Sequence, residues 1–168
     1  MTPKVIMMMA ISVDGHIAKH HSEFTNWTSR EDKQLFAKLS KECGVVMMGE
    51  NTFKTFPAPL PNRLNFVFSE NPPHSSDPLV QYFSGPPEEA LAILSQQGFT
   101  QVLLGGGTFL NSLFLEHNLI DELIITIEPK LFGQGLDLFK LEQEKELKLL
   151  ACQKLNENTI KLHYQVIK

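Results

Sequence analysis

The sequence predicts an α/β protein: a mainly parallel central sheet between helical layers, with an antiparallel C-terminal hairpin. Three observations predict it. Apolar runs without alternation, such as Lys4 to Ser12 ("KVIMMMAIS"), suit strands buried on both faces. Stretches with apolar residues at helical spacing fall between those runs, giving a repeated β-α order. After residue 135 the pattern changes to two strand-like runs, Leu147 to Gln153 and Thr159 to Ile167, joined by the turn-favouring "KLNENT".

Each element has its own signal. The first run ends at the turn dipeptide Asp14-Gly15. Thr28-Ser29 followed by Glu31-Asp32 reads as a capped helix start, with Leu35, Phe36 and Leu39 as its apolar stripe and Gly44 as its stop. Val45 to Met48 is a second strand, followed by Gly49 and a short helical piece, "ENTFKTF", that Pro57 ends. Leu64 to Ser69 and Val80 to Phe83 are further strands between proline-rich loops. "PPEEALAILSQQ" opens with prolines and acids, as helix starts do, and closes at Gly98. Strand Gln101 to Leu104, helix Thr108 to His117 and strand Asp121 to Glu128 complete the series.

The chain has 168 residues, enough for one domain over 1–168 with a buried core. A net charge of −4 argues against the clustered basic surface that nucleic acid requires. No apolar run approaches the roughly 18 residues of a membrane span, and the N-terminus does not read as a signal peptide. Cys43 and Cys152 lack metal-type spacing and read as two buried, reduced thiols of a cytoplasmic protein. His16, His20 and His21 lie in a polar loop and give no metal site on their own, because a site needs fixed geometry and a further ligand. Trp27 reads as an anchor of that loop or as a stacking surface for a ligand.

The stretch "VLLGGGTFLNSLF" sets Gly105, Gly106 and Gly107 between a strand and a helix. Without Cβ atoms there, backbone N–H groups can approach an anion closely, at a helix end whose dipole favours negative charge. The sequence is neither a Walker loop nor GxGxxG, and close helix–strand packing would use the same glycines.

Four segments together resemble the dihydrofolate reductase-like superfamily, and within it the reductase domain of the riboflavin-pathway deaminase-reductase. They are "MAISVDGHIA", "SREDKQLFAKLSKECGVVMMGENTF", "LLGGGTFLNSLFLEHNLIDELIITIEPKLFGQG" and the following "LDLF". The resemblance implies a three-layer dihydrofolate reductase-like fold, NADPH or NADH as cofactor, and a small-molecule substrate. It points to an activity like 5-amino-6-(5-phosphoribosylamino)uracil reductase, without the deaminase half. Dihydrofolate reductase and a nucleotide-binding module without turnover are the alternatives. The flanks of "LFGQGLDLF", whose glycines suit positive φ, are a candidate homodimer surface by the same resemblance.

Carried over residue by residue, the resemblance sets Ala10 and Ile17 beside the nicotinamide. Gly105, Gly106, Gly107, Thr108 and Phe109 surround the diphosphate and adjoining ribose, and Gly49, Asn51 and Thr52 also meet phosphates. Ser69 lies near the adenosine. A cis peptide is expected at Gly105-Gly106. Asp32 is the proton-handling candidate, with Glu31 its equal neighbour, and Thr126 its hydrogen-bond partner. From the residues alone, Asp32 reads rather as a solvated first-turn acid and Thr126 as a β-branched strand residue. The folate pattern's basic residue after Gly49 is replaced by Glu50, and Glu70 follows Ser69, which suggests weak NADPH preference or NADH use. Arg63 is the one arginine placed to meet an anionic substrate tail.

Overall fold

The computed structural model describes residues 1–168. An eight-stranded sheet runs in the order β5-β4-β3-β6-β1-β7-β10-β9. Its strands are β1 (Lys4–Ile11), β3 (Val45–Gly49), β4 (Leu64–Phe68), β5 (Val80–Phe83), β6 (Gln101–Leu104), β7 (Glu122–Ile127), β9 (Leu147–Lys154) and β10 (Ile160–Val166). All pairings from β5 through β7 are parallel, and β10 runs antiparallel to both β7 and β9. A separate two-stranded ribbon pairs β2 (His16–Ala18) with β8 (Leu136–Asp137). The helices are α1 (Arg30–Cys43), α2 (Glu50–Phe53), α3 (Pro87–Gln96) and α4 (Thr108–Glu116).

The strands bury both faces, and successive residues divide between two cores as the pleat requires. Val5, Met7, Val45, Met47, Val102 and Leu104 point to one side, where Leu91 and Leu94 of α3 and Phe114 of α4 cover them. Ile6, Met8, Val46, Met48, Val67 and Leu103 point to the other, where Leu35, Phe36 and Leu39 of α1 and Phe53 of α2 pack. Three layers result, α3 and α4 on one side of the sheet, α1 and α2 on the other.

α1 starts and stops as its sequence dictates. The Ser29 side chain accepts from the Asp32 N–H at the N-cap, and Gly44, at φ 74°, takes the left-handed turn that a side chain would strain. Ser29 also donates from its hydroxyl to Glu128 Oε1 at 2.8 Å. Ser29→Ala is therefore expected to lower unfolding free energy by about 1–2 kcal/mol, measured by denaturant titration.

The structure departs from the sequence reading in several places. β4 and β5 are joined by the proline-rich loop that the sequence reads there, and because they pair in parallel the β-α alternation is broken at this point. β2 and β8 were not predicted, being too short to show a period and held by one another. Cys43 is buried, its thiol pushed up to about 11 by desolvation, but Cys152 is exposed on the edge strand β9. Gly133 does take positive φ, at 75°, whereas Gly135 is needed for close approach: a Cβ there would collide with the Ala18 carbonyl and lie 3.0 Å from His16. The flanks of that loop divide, Leu138 and Phe139 packing on the core while Leu131 stays exposed. No helix is long and apolar enough to cross a membrane.

Candidate active site

β3 and β6 are hydrogen-bonded neighbours, yet β3 leads into α2 on one face and β6 into α4 on the other. Two loops that part in this way open a crevice at the strand ends, the place where open α/β sheets bind ligands. Here glycine lines both walls. The Gly49 N–H donates to the Gly106 carbonyl at 2.9 Å, and a Cβ on Gly107 would stand 3.4 Å from Thr52 Oγ1. α4 has Gly107 as N-cap with no side chain capping it, leaving its first-turn N–H groups available to an anion.

The crevice is the floor of a cleft of about 1270 Å³. Ten of the eleven predicted cofactor contacts line it: Ala10, Ile17, Gly49, Asn51, Thr52, Ser69, Gly105, Gly107, Thr108 and Phe109. Gly106 does not. Its φ is 94° and its Cα faces the Met9 side chain, where a Cβ would lie 2.9 Å from the sulfur. The cis peptide falls at Gly106-Gly107, one bond later than expected. The Thr108 hydroxyl is taken up by the Asp137 carbonyl at 2.5 Å, and Phe109 is 80% exposed at the mouth.

Asp32 and Thr126 come together. The Thr126 hydroxyl donates to Asp32 Oδ1 at 2.6 Å; Thr126 is fully buried, and Asp32, only 6% exposed, lines the cleft. Ala10 is the register partner of Thr126, so the acid lies beside the end of β1. Burial raises the Asp32 pKa above the ordinary range; the Thr126 hydroxyl opposes this and the Glu128 carboxylate adds to it. Glu31 turns the other way and accepts from Asn156 Nδ2 at 3.0 Å, which holds its pKa down. A carboxyl that is buried, raised and open to a cleft is suited to holding a proton for a bound substrate.

Sequence reasoning missed Glu128. It is 2% exposed, with Oε1 accepting from the Ser29 N–H and hydroxyl and Oε2 from the Thr159 hydroxyl at 3.1 Å. This carboxylate ties the start of α1, and with it Asp32, to the end of β7. Arg63 is also more buried than a loop arginine suggests, at 5% exposure, and it lines the cleft. Nε donates to the Pro61 carbonyl at 2.9 Å and Nη1 to Ser40 Oγ, but no carboxylate pairs with it.

The segment between β1 and α1 covers part of the cleft. His20 and His21 line it from this side, whereas His16 lies between Asp14 and Asp137, 3.9 and 3.7 Å away. Asp14 latches the loop after β7, accepting from the Phe132 and Gly133 N–H groups. Trp27 packs edge-on against Phe132 at 4.9 Å between centroids while also lining the cleft, so anchoring and ligand contact are compatible.

Fold and cleft together define a dihydrofolate reductase-like protein. The sequence profile of the RibD C-terminal domain matches residues 3–80 and 86–161, and the chain belongs to that family. It is 27% identical to the uncharacterized protein YwjB of Bacillus subtilis, over 98% of each chain. It is 28% identical to a candidate dihydrofolate reductase of Caenorhabditis elegans, covering 93% of this chain and 88% of the relative. Among solved structures, a candidate riboflavin biosynthesis protein from Shewanella sp. PV-4 superposes over all of both chains with a TM-score of 0.79 at 25% identity. RibD of Acinetobacter baumannii gives 0.86 at 23% identity, over 99% of this chain and 59% of that one. Dihydrofolate reductase of Enterococcus faecalis, complexed with NADP(H), gives 0.75 at 20% identity, over 98% and 97%.

Proposed function

We propose that this protein is a nicotinamide-dependent reductase acting on a small anionic heterocycle or sugar carbonyl, as in the reductase step of riboflavin synthesis. One observation carries the reading: a glycine-walled crevice at the sheet's switch point runs into the same cleft as a buried acid whose pKa burial raises. The crevice fits the dinucleotide, because side chains on Gly49 and Gly107 would fill the gap that a diphosphate needs.

The bound cofactor would supply the hydride. The chain's own residues then have three tasks. Gly49, Asn51, Thr52, Gly105, Gly107 and Thr108 would hold the phosphates, with Ala10 and Ile17 beside the ring. Asp32 would hold a proton on its carboxyl, fixed in orientation by Thr126, and deliver it to the substrate atom that gains electron density. Phe36, the 14–27 loop and Trp27 would keep water from the reacting atoms.

Arg63 supports an anionic substrate. A buried guanidinium without a carboxylate has unused donors, and a phosphate or carboxylate in the cleft would complete them. Arg63→Met is expected to raise KM at least about tenfold with cofactor affinity unchanged. The same feature favours one second reading, dihydrofolate reduction, since the glutamate tail of folate is also anionic. The two separate in an assay that follows oxidation of the reduced cofactor with the ribosylaminopyrimidine phosphate and with dihydrofolate in turn. Turnover of the pyrimidine alone supports the first reading. Stabilisation against heat by cofactor with neither substrate turned over would leave a binding module and overturn the catalytic proposal.

A further inference from the structure

We infer that the cleft selects a cofactor whose adenosine ribose carries free hydroxyls, NADH over NADPH, and that Glu50 is the side chain that makes the selection. The inference rests on the nicotinamide-dependent function proposed above and specifies its cofactor.

The direction of a bound dinucleotide follows from the cleft. Its diphosphate belongs between Gly49 and Gly107, and the proton-holding end lies at β1 and β7, where Ala10 and Asp32 meet. The adenosine half is left with the ends of β4 and β5, where the cleft is lined by Glu50, Ser69, Glu70, Ser84 and Gly85. Ser69 is 8% exposed, and its N–H bonds the Phe83 carbonyl at 2.9 Å, so its side chain stands on a fixed strand end. Its hydroxyl donates to Glu50 Oε2 at 2.6 Å. That bond fixes the Glu50 carboxylate at the cleft wall.

A carboxylate so placed accepts hydrogen bonds from a ribose diol. A 2′-phosphate would bring a further charge of roughly −1.5 to −2 next to Glu50 and Glu70. No cation lines this end. Of the lysines and arginines in the cleft, Lys33 donates to the Thr28 carbonyl at 2.7 Å, and Arg63 is held by Ser40 and the Pro61 carbonyl; both lie toward α1. Lys54 is near, but its ammonium is committed to Glu50 Oε1 at 2.7 Å and does not line the cleft. The pairings with Lys54 and Ser69 hold the Glu50 pKa below its usual range, so the carboxylate is ionised at neutral pH.

Calorimetric titration of NADH and NADPH into the full chain, without substrate, tests this. The wild type is expected to bind NADH at least about tenfold more tightly; Glu50→Gln should narrow the ratio and Glu50→Arg reverse it. Lys54→Ala should leave NADPH binding no weaker. Melting temperatures with and without NADH establish that each variant is folded. Equal or tighter NADPH binding by the wild type, or a tenfold loss of NADPH affinity in Lys54→Ala, would overturn the selection by Glu50 alone. Failure of both nucleotides to bind would overturn the underlying function as well.

Discussion

Asp32→Asn is expected to lower turnover by about 10²–10⁴-fold, the range for removal of a positioned general acid, while leaving the protein at least as stable at neutral pH. The two effects have one cause. Burial raises the folded-state pKa of Asp32 above the ordinary aspartate value of 3.8. Between those two values the native state binds more protons than the unfolded state, so stability falls as pH rises through the window. Above it, the native state carries a desolvated carboxylate, a penalty that asparagine lacks. Asparagine still presents an oxygen to the Thr126 hydroxyl, so the local packing survives. In the wild type, turnover should decline as pH rises past the raised pKa, because only the protonated carboxyl can deliver a proton. The variant should be slow and flat across that range. Steady-state rates against pH, with melting temperatures on the same samples, decide it; unchanged rates would make Asp32 a structural acid.

How far such a residue can be read from sequence depends on the range of its interactions. The layers were legible because the pleat and the helix impose short periods: alternate residues of "KVIMMMAIS" do divide between the two cores. The choice of Asp32 over Glu31 was also within reach. Asp32 precedes Leu35 and Phe36 by three and four positions, which puts it on the apolar stripe of α1, while Glu31 is turned toward Asn156. Glu128 gave no such signal. Its donors come from Ser29 and Thr159, separated from it by 99 and 31 residues, and only the folded chain brings them to one carboxylate. The ribbon of β2 and β8 is similar, since neither strand has enough residues to show a period without its partner. The exposed Cys152 reflects the sheet order, which leaves β9 at the edge with a partner on one side alone.

The glycines of the crevice divide into those the fold needs and those the ligand needs, and Gly107→Val is the substitution expected to separate them. Gly107 has φ −83°, a value open to any residue, so valine there adds no backbone strain of the left-handed kind. Its first carbon would already be 3.4 Å from Thr52 Oγ1, and its two methyl groups would occupy the gap where a diphosphate must lie. Nicotinamide nucleotide affinity should fall by at least about a hundredfold, roughly 2.7 kcal/mol, because the anion loses both space and close amides. The melting temperature without ligand should stay close to wild type. Gly106→Ala provides the contrast. At φ 94°, with Met9 Sδ 2.9 Å from the new carbon, it should destabilise the apo protein by about 1–3 kcal/mol whatever it does to binding. A Gly107→Val protein that still bound nucleotide at wild-type strength would mean that the diphosphate does not use this crevice, and the assignment of Gly49, Thr52 and the α4 N-terminus to phosphate binding would fall with it.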